Sequence, residues 1–334
     1  MSRWDALMDR ALSLATDPRS PRGVNPRVGC VVVDASGLVV GEGWHEGAGS
    51  PHAEVVALGR AGDRAVGGTA IVTLEPCNHH GRTGPCTRAL IDAGIVRVVF
   101  GQSDPTTAAG GGAEHLRSVG IEVIGGVRAE SARQVNLEWS FAAARGRPFV
   151  TAKCAVSLDG RVAGPGGLRV RLTGEEANQY VHKLRSKVQA VIVGTQTVID
   201  DDPELTVRHV PVPITGQPLR VVMGNRTLPN SSRIFDASAP HLQIRSRDPH
   251  VVLAELNDRG ARHVLLEGGP TVMRGFLEAD LIDEIVWLIA GVWLGAGPRA
   301  LPAGARMDRA VQIEQSTTLG EDVLVRGRCE GKVG

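Results

Sequence analysis

The 334-residue sequence predicts an α/β protein built as two domains, and three observations carry that expectation. The length exceeds what a single hydrophobic core usually serves. Apolar runs of strand length alternate with segments of helical period in both halves. Between the halves lies a polar stretch containing a glycine and a proline, Arg145-Gly146-Arg147-Pro148, which reads as a domain boundary.

In the first half, Trp4, Leu7, Met8, Ala11, Leu12 and Ala15 fall at helical spacing, so the chain opens with an amphipathic helix whose apolar stripe packs on a sheet. Two β-rich runs follow, 28–33 and 38–44, joined by a hairpin turn at Asp34-Ala35-Ser36-Gly37. The period then changes. A helix starts within 51–58, with Ser50 as N-cap and Pro51 tolerated in the first turn, where an N–H would be unpaired anyway. Residues 69–74 read as a strand, 85–93 as a helix, 96–101 and 121–124 as strands, and 129–144 as one closing helix. In the second half, strands are expected at 149–156, 190–194, 219–223, 263–266 and 285–294, with helical patterns between several of them. The stretch from Pro203 to Pro218 has several prolines and no period, which marks a loop near whatever the domain binds.

Composition narrows the function classes. Lys plus Arg total 37 against 36 Asp plus Glu, so no general attraction to nucleic acid or to an anionic membrane is expected. Aromatic content of 3% leaves few platforms on which a single strand could stack. The N-terminus is charged throughout, and no stretch approaches the roughly 20 apolar residues of a membrane span. A small-molecule substrate and a cytoplasmic location are the expectation. Cys30, Cys77, Cys86, Cys154 and Cys329 are too scattered for a disulfide framework, which leaves metal binding or burial to explain them.

The strongest local signal is Pro51-His52-Ala53-Glu54 followed by Pro76-Cys77 and, after an eight-residue insert, Cys86. One imidazole and two thiolates form a donor set that catalytic zinc takes while keeping a fourth tetrahedral position for water. Zinc lowers the pKa of such a water to about 7, making hydroxide available for attack on an sp² carbon that bears an amino group. Glu54 can take the proton and deliver it to the ring nitrogen and the departing ammonia. The competing readings are buried structural cysteines, or a closed four-ligand zinc with His79 or His80 as fourth donor; Glu54 beside His52 argues against both. Within the insert, His79 and Arg82 are candidates to face a substrate, Arg for a phosphate or carbonyl and His for a ring polar group. Asn25 can offer a donor and an acceptor to a base edge. His45 alone reads as a surface or core-edge imidazole. In the second half, Glu267-Gly268-Gly269-Pro270-Thr271 follows an apolar strand and opens a helix, whose N–H groups and dipole can cradle a phosphate. It lacks a full G-x-G-x-x-G and fits an ordinary strand-to-helix turn equally well.

Three segments of the first half, N-P-R-V-G-C-V at 25–31, G-W-H-E-G-A-G-S-P-H-A-E at 43–54 and T-L-E-P-C-N-H-H-G-R-T-G-P-C at 73–86, form a specific series. With K-C-A-V-S-L-D-G-R-V-A at 153–163, G-T-Q-T-V-I-D-D-D-P-E-L-T-V-R at 194–208 and L-E-G-G-P-T at 266–271, they resemble the bifunctional deaminase/reductase family of riboflavin biosynthesis over nearly the whole chain. The resemblance implies a cytidine-deaminase-like three-layer domain over 1–146 and a dihydrofolate-reductase-like α/β domain over 147–334. The first would hydrolytically deaminate a diaminopyrimidinone carrying a phosphoribosylamino group, using one Zn2+ per chain. The second would reduce the ribosyl group of the product to ribityl with NADPH. Zinc ligation carries over to His52, Cys77 and Cys86, acid/base work to Glu54, and substrate contact to Asn25, His45, His79 and Arg82. In the second domain, cofactor contacts fall on Ala155, Arg171, Thr197, Asp201, Gly269, Pro270, Thr271 and Gly275. Substrate contacts there fall on Arg185, Leu205, Arg208 and Glu267. The two arginines suit a ribose phosphate, since a guanidinium presents paired donors to its oxygens, although most arginines are simply solvated. Lys153 and Asp159 receive no proton-transfer role, and Asp159-Gly160 reads as a turn.

Some positions depart from the family pattern. Arg169 and Arg171 stand where the family has Ser and Trp, Gly224-Asn225 where it has Asp-Ser, and D-P-T-T at 104–107 where it has D-P-N-P. They leave open a reductase with another pyrimidine or pteridine-like substrate, or one without activity. A nucleic-acid-editing deaminase with an added recognition domain predicts a basic face, against which the near-neutral charge speaks. Self-association into a homo-oligomer is left open.

Overall fold

A computed structural model describes residues 3–79, 84–106, 110–301 and 309–332. The chain divides into two compact units, Met1–Gly146 and Arg147–Gly334.

Unit 1 runs α1 (Arg3–Ala15), β1 (Gly29–Val33), β2 (Val39–Trp44), α2 (Ala53–Ala61), β3 (Thr69–Leu74), α3 (Cys86–Asp92), β4 (Arg97–Gln102), α4 (Gly112–Ser118), β5 (Glu122–Gly125), α5 (Ala129–Val135) and α6 (Leu137–Arg145). Its sheet has the order β2-β1-β3-β4-β5, with β1 antiparallel to both neighbours and β3, β4 and β5 parallel. Alternate residues of β1 feed two cores. Val31 and Val33 pack with Met8 and Ala11 of α1 and Ala132 of α5, whereas Cys30 and Val32 pack with Ala57, Leu90 and Leu116 of α2, α3 and α4. Buried on both faces, β1 is a continuous apolar run, and the unit is a three-layer α/β/α sandwich. Two glycines bring α2 down onto β2. A Cβ on Gly41 would lie 2.1 Å from the Ala57 carbonyl oxygen, and one on Gly43 would lie 2.5 Å from that of Ala53.

Two local expectations are corrected here. The N-cap of α2 is His52, extended at φ −69° and ψ 160°, and not Ser50, whose hydroxyl is engaged by the Gly47 carbonyl at 2.7 Å. The closing helix is two helices, broken at Asn136 (φ −118°, ψ 26°). Its buried side chain accepts from the Arg27 N–H at 2.8 Å and donates to the Arg27 carbonyl at 2.9 Å, and this tertiary contact overrides the helical pattern.

Unit 2 runs β6 (Phe149–Ser157), α7 (Glu175–Arg185), β7 (Ala190–Gly194), α8 (Thr195–Asp201), β8 (Leu219–Met223), β9 (His241–Ile244), α9 (Pro249–Asp258), β10 (His263–Leu266), α10 (Pro270–Glu278), β11 (Glu284–Ala290), β12 (Arg309–Leu319) and β13 (Asp322–Lys332). The sheet order is β12-β13-β11-β6-β10-β7-β8-β9. From β11 to β9 all neighbours are parallel, so their C-terminal ends share one edge, where open α/β sheets place ligands. The antiparallel β12–β13 hairpin extends the opposite side from β9. Sequence pattern carries the last expected strand to 294, but β11 ends at Ala290, and β9, β12 and β13 are not anticipated. The cause is visible in β12: most of its side chains, including Gln312, Glu314 and Gln315, are solvent-exposed, so it lacks the alternation of a half-buried strand. No helix among the described residues is long and apolar enough to cross a membrane.

Candidate functional site

Three elements deliver the metal-ligating set of unit 1: His52 caps α2, Cys77 follows β3 and Cys86 opens α3. His52 Nδ1 lies 3.1 Å from Cys86 Sγ and 3.6 Å from Cys77 Sγ, and all three donor atoms lie within 4.8 Å of one another. Tetrahedral zinc with bonds of about 2.0–2.3 Å spaces its donors about 3.5–3.8 Å apart, so the set fits that metal. Among the described residues no fourth His, Cys, Asp or Glu joins it; His79 is outside the group, and His80 lies outside the described residues. The Cys86 thiol, hydrogen-bonded to Cys77, pulls Cys77 far below its ordinary pKa against the opposing effect of burial, and His52 adds to the pull. Cys77 is thereby biased to the thiolate that a metal needs. Glu54, second residue of α2 and only 4% exposed, has its carboxyl pushed up by burial.

A polar chain leads to this group. Asn25 Nδ2 donates to His45 Nε2 at 2.9 Å, which puts the ring proton on Nδ1, 3.3 Å from the Pro51 carbonyl oxygen. Burial lowers the pKa of His45, and its ring stands edge-on to His52 with centroids 5.5 Å apart. The His45 imidazole, unremarkable by itself in sequence, therefore sits against a metal ligand. His79 Nδ1 is buried with no hydrogen-bond partner among the described residues, and Arg82 lies outside them. Sequence reasoning missed Glu75, whose carboxylate accepts from Ala113 N at 2.9 Å and Asp104 N at 3.3 Å. It ties the segment after β4 to the turn bearing Cys77, and its one sequence signal is a charged residue at the end of an apolar strand, two positions before a ligand.

In unit 2, Glu267 follows β10 with its side chain 5% exposed. Arg185 of α7 grips it through Nε to Oε1 at 2.6 Å and Nη2 to Oε2 at 3.0 Å, and Lys153 Nζ of β6 approaches to 3.1 Å. Burial acts to raise the carboxyl's pKa, but the Arg185 and Lys153 cations outweigh it and hold Glu267 well below the usual carboxylate range. Arg185 thus turns one edge of its guanidinium to Glu267, while Nη1 donates to the Thr206 carbonyl at 3.2 Å. Arg208 is exposed and bonds to Glu204 and to Thr206 Oγ1. Leu205 between them is buried at φ +54°.

Several of the expected cofactor residues follow parallel strands at the C-terminal edge of the sheet: Thr197 comes after β7, and Gly269, Pro270 and Thr271 come after β10. Gly269 caps α10, and a Cβ there would lie 3.6 Å from Thr197 Oγ1 of α8, so the bare start of α10 and Thr197 face one another. Pro270 and Thr271 form the first turn of α10; Gly275 lies one turn later, beside the Pro249 ring. Ala155 is half-buried in β6, Arg171 is exposed, and Asp201 ends α8. Arg169, one of the departures, pairs with Asp201 at 3.3 Å. Gly224, another, has φ +126°, a conformation that favours glycine, and a Cβ there would meet Thr195 at 3.1 Å.

Against this geometry stand the likenesses to known proteins. Residues 1–102 match the cytidine and deoxycytidylate deaminase zinc-binding region, and residues 148–325 match the RibD C-terminal domain. The riboflavin biosynthesis protein RibD of Mycobacterium tuberculosis is 43% identical, over 88% of this chain and 86% of that protein. RibD of Aquifex aeolicus is 38% identical over 95% and 96% of the two chains. Among solved structures, Acinetobacter baumannii RibD superposes with a TM-score of 0.89 at 34% identity, covering 98% of this chain and 99% of that one. A Thermotoga maritima diaminohydroxyphosphoribosylaminopyrimidine deaminase/5-amino-6-(5-phosphoribosylamino)uracil reductase superposes at 0.85 with 31% identity, covering 98% of each chain.

Proposed function

The chain belongs to the RibD family of bifunctional riboflavin biosynthesis proteins, and on that premise we propose how its residues divide two reactions between its two units. It is a zinc-dependent deaminase and an NADPH-dependent reductase, acting on a small phosphorylated pyrimidine. Unit 1 converts the diaminopyrimidinone bearing a phosphoribosylamino group to the corresponding uracil, and unit 2 reduces the ribosyl group of that product to ribityl. The observation that carries the proposal is the convergence of His52, Cys77 and Cys86 beside buried Glu54, open to a fourth ligand among the described residues.

In unit 1, His52, Cys77 and Cys86 hold the metal. Zinc supplies the Lewis acidity that makes a water-derived nucleophile available near neutral pH. Glu54 carries one proton from the attacking water to the ring nitrogen and then the second, from the new hydroxyl, to the amino group, which leaves as ammonia as a C=O bond replaces C–N. Asn25 and His45, held in one tautomer, present polar groups to the pyrimidine edge. His79 Nδ1 offers an unsatisfied buried polar atom to the same substrate, and Arg82 supplies a cation from the insert.

In unit 2, NADPH supplies the hydride, and a proton from water completes the two-electron reduction of the ribosyl carbon. The N–H groups of Gly269 and Thr271 at the start of α10, with the Thr197 hydroxyl of α8, receive the anionic part of the cofactor; Pro270 has no N–H to offer but starts the helix without loss, and the Asp201 carboxylate accepts from a cofactor hydroxyl. Ala155, Arg171 and Gly275 complete the cofactor contacts. Arg208 meets the substrate phosphate, Leu205 packs on the substrate, and the Arg185–Glu267 pair presents a fixed polar edge to it. Cytoplasmic location belongs to the same proposal and is checked by cell fractionation.

Mass spectrometry of products from the purified chain, incubated with the diaminopyrimidinone with and without NADPH, tests the division of labour. The uracil alone should accumulate without NADPH, and the ribityl product should appear with it. Reduction without deamination, or deamination that no NADPH carries further, would contradict the proposal.

A further inference from the structure

The segment that carries Leu205 and Arg208 puts three non-glycine residues into the left-handed region: Asp202 at φ 40°, Leu205 at 54° and His209 at 61°. Such backbone persists only where its surroundings over-determine it. Here the braces are explicit. Arg233 N donates to Asp202 Oδ1 at 2.8 Å, buried Arg220 donates to the Glu204 carbonyl at 3.4 Å, and Arg185 donates to that of Thr206. The Gln217 amide holds Val207 from both sides, accepting from its N–H at 2.7 Å and donating to its carbonyl at 3.1 Å.

The brace on Arg208 itself is a histidine. His182 Nδ1 accepts from the Arg208 backbone N–H at 3.0 Å. His182 is 1% exposed and lies three residues before Arg185 on α7, a spacing that puts both on one helix face. An imidazole nitrogen that accepts an amide N–H carries no proton, so the ring is neutral and protonated at Nε2. Burial, reinforced by the charges of Arg185 and Arg208 and by the ring of His209 packed edge-on at 5.1 Å, lowers its pKa to about 4. The acceptor therefore survives across the neutral range.

We propose that His182 is a positioning residue of the reductase: its buried acceptor nitrogen links the helix that bears Arg185 to the backbone of Arg208 and so sets where the Arg208 guanidinium meets the substrate's phosphate. This rests on the assignment of Arg208 as a substrate contact. His182 touches neither substrate nor cofactor in this scheme; it acts through Arg208 alone.

The test uses the full chain and compares three substitutions at one position. His182→Asn keeps an acceptor near the place of Nδ1, His182→Gln moves it toward the place of Nε2, and His182→Leu removes it. Reductase kinetics are measured on the phosphoribosylaminouracil, with NADPH affinity by fluorescence as a check on unit 2 and deaminase turnover as an internal control. His182→Leu and His182→Gln should raise KM by about tenfold, the scale of one lost hydrogen bond, with kcat and NADPH affinity little changed. His182→Asn should restore KM to near the original value. Equal KM for the Asn and Gln variants, or an unchanged KM in His182→Leu, overturns the proposal even if His182→Leu folds poorly, because the Asn and Gln variants carry the same amide and place its acceptor at the two different ring positions. Arg208→Ala run alongside separates the two claims: if it leaves KM unchanged, the substrate assignment has failed, whereas if it raises KM and the histidine series does not, only the linkage has.

Discussion

His52 and Cys86 of unit 1 are separated by 34 positions and meet at 3.1 Å, whereas Arg185 and Glu267 of unit 2 are separated by 82 and meet at 2.6 Å. The first pair belongs to a neutral-to-anionic donor set that a metal ion completes. The second belongs to a cluster of fixed charges in which two cations, Lys153 and Arg185, share the single carboxylate of Glu267 without any ligand. A metal site can be assembled from a short stretch because coordination supplies the binding energy. A charge cluster must be held by the fold, since each buried ion needs its partner in place before substrate arrives.

The sharpest way to break this contrast is to remove a metal donor. Cys77→Ser or His52→Ala should abolish zinc content by elemental analysis and deamination with it, while leaving NADPH-dependent reduction intact. Glu54→Gln should keep the zinc yet lower deamination by about 10²- to 10⁴-fold, the range of general acid–base catalysis. Near-normal turnover in that variant would mean that Glu54 is not the proton carrier.

On the other side of the comparison, Glu267→Ala strands two cations, and breaking a buried pair in this way costs about 3–5 kcal/mol. Denaturant unfolding should show that loss in the unit 2 transition and none in unit 1; an unchanged unit 2 transition would mean the cluster is not self-supporting. Arg208→Ala should act more gently, chiefly raising the reductase KM, because its guanidinium is exposed and no buried charge is abandoned.

The smallest expected effect is a pH dependence confined to unit 2. His182 has a folded pKa of about 4, below the ordinary histidine value of about 6.5 in the unfolded chain. Between those values the unfolded chain binds more protons, so this contribution is complete above the unfolded pKa and is lost as pH falls toward the folded one. Glu267, also depressed on folding, loses its contribution in turn once pH falls through the carboxylate range. The melting temperature of unit 2 should therefore decline from neutral pH toward 4, and His182→Asn should flatten the upper part of that decline. Arg185, Arg208, His209 and Glu267 are the charged and titratable groups around His182 that accompany this change.

The same contrast explains what could be read in advance. The zinc donors were legible because histidine followed by two cysteines at close spacing is a rare combination, and β1 and β3 were legible because burial on both faces makes them continuous apolar runs. His45 was not legible from its own residue type, since its role depends on the ring of His52 and the amide of Asn25 being brought to it by folding. The single closing helix failed at Asn136 because a distant backbone, that of Arg27, claims the side chain. In unit 2 the two arginines were expected to act together on a phosphate, but no pattern indicated that Arg185 would turn to Glu267, nor that His182 and Gln217 would brace the segment between them. Arginine, glutamine and glutamate are common at every solvent-facing position, so only tertiary structure distinguishes the few that hold a backbone.

Bare glycines at 41 and 43 let the first metal-binding helix rest on the main chain of its neighbouring strand, with no side chain as cushion. The position of the imidazole at that helix's start is consequently inherited from peptide-to-peptide contact and is insulated from repacking elsewhere in the core. Drift among the surrounding aliphatic residues can be absorbed without moving the Glu54 carboxylate, whereas one added methyl on either glycine would lift His52 and Glu54 together.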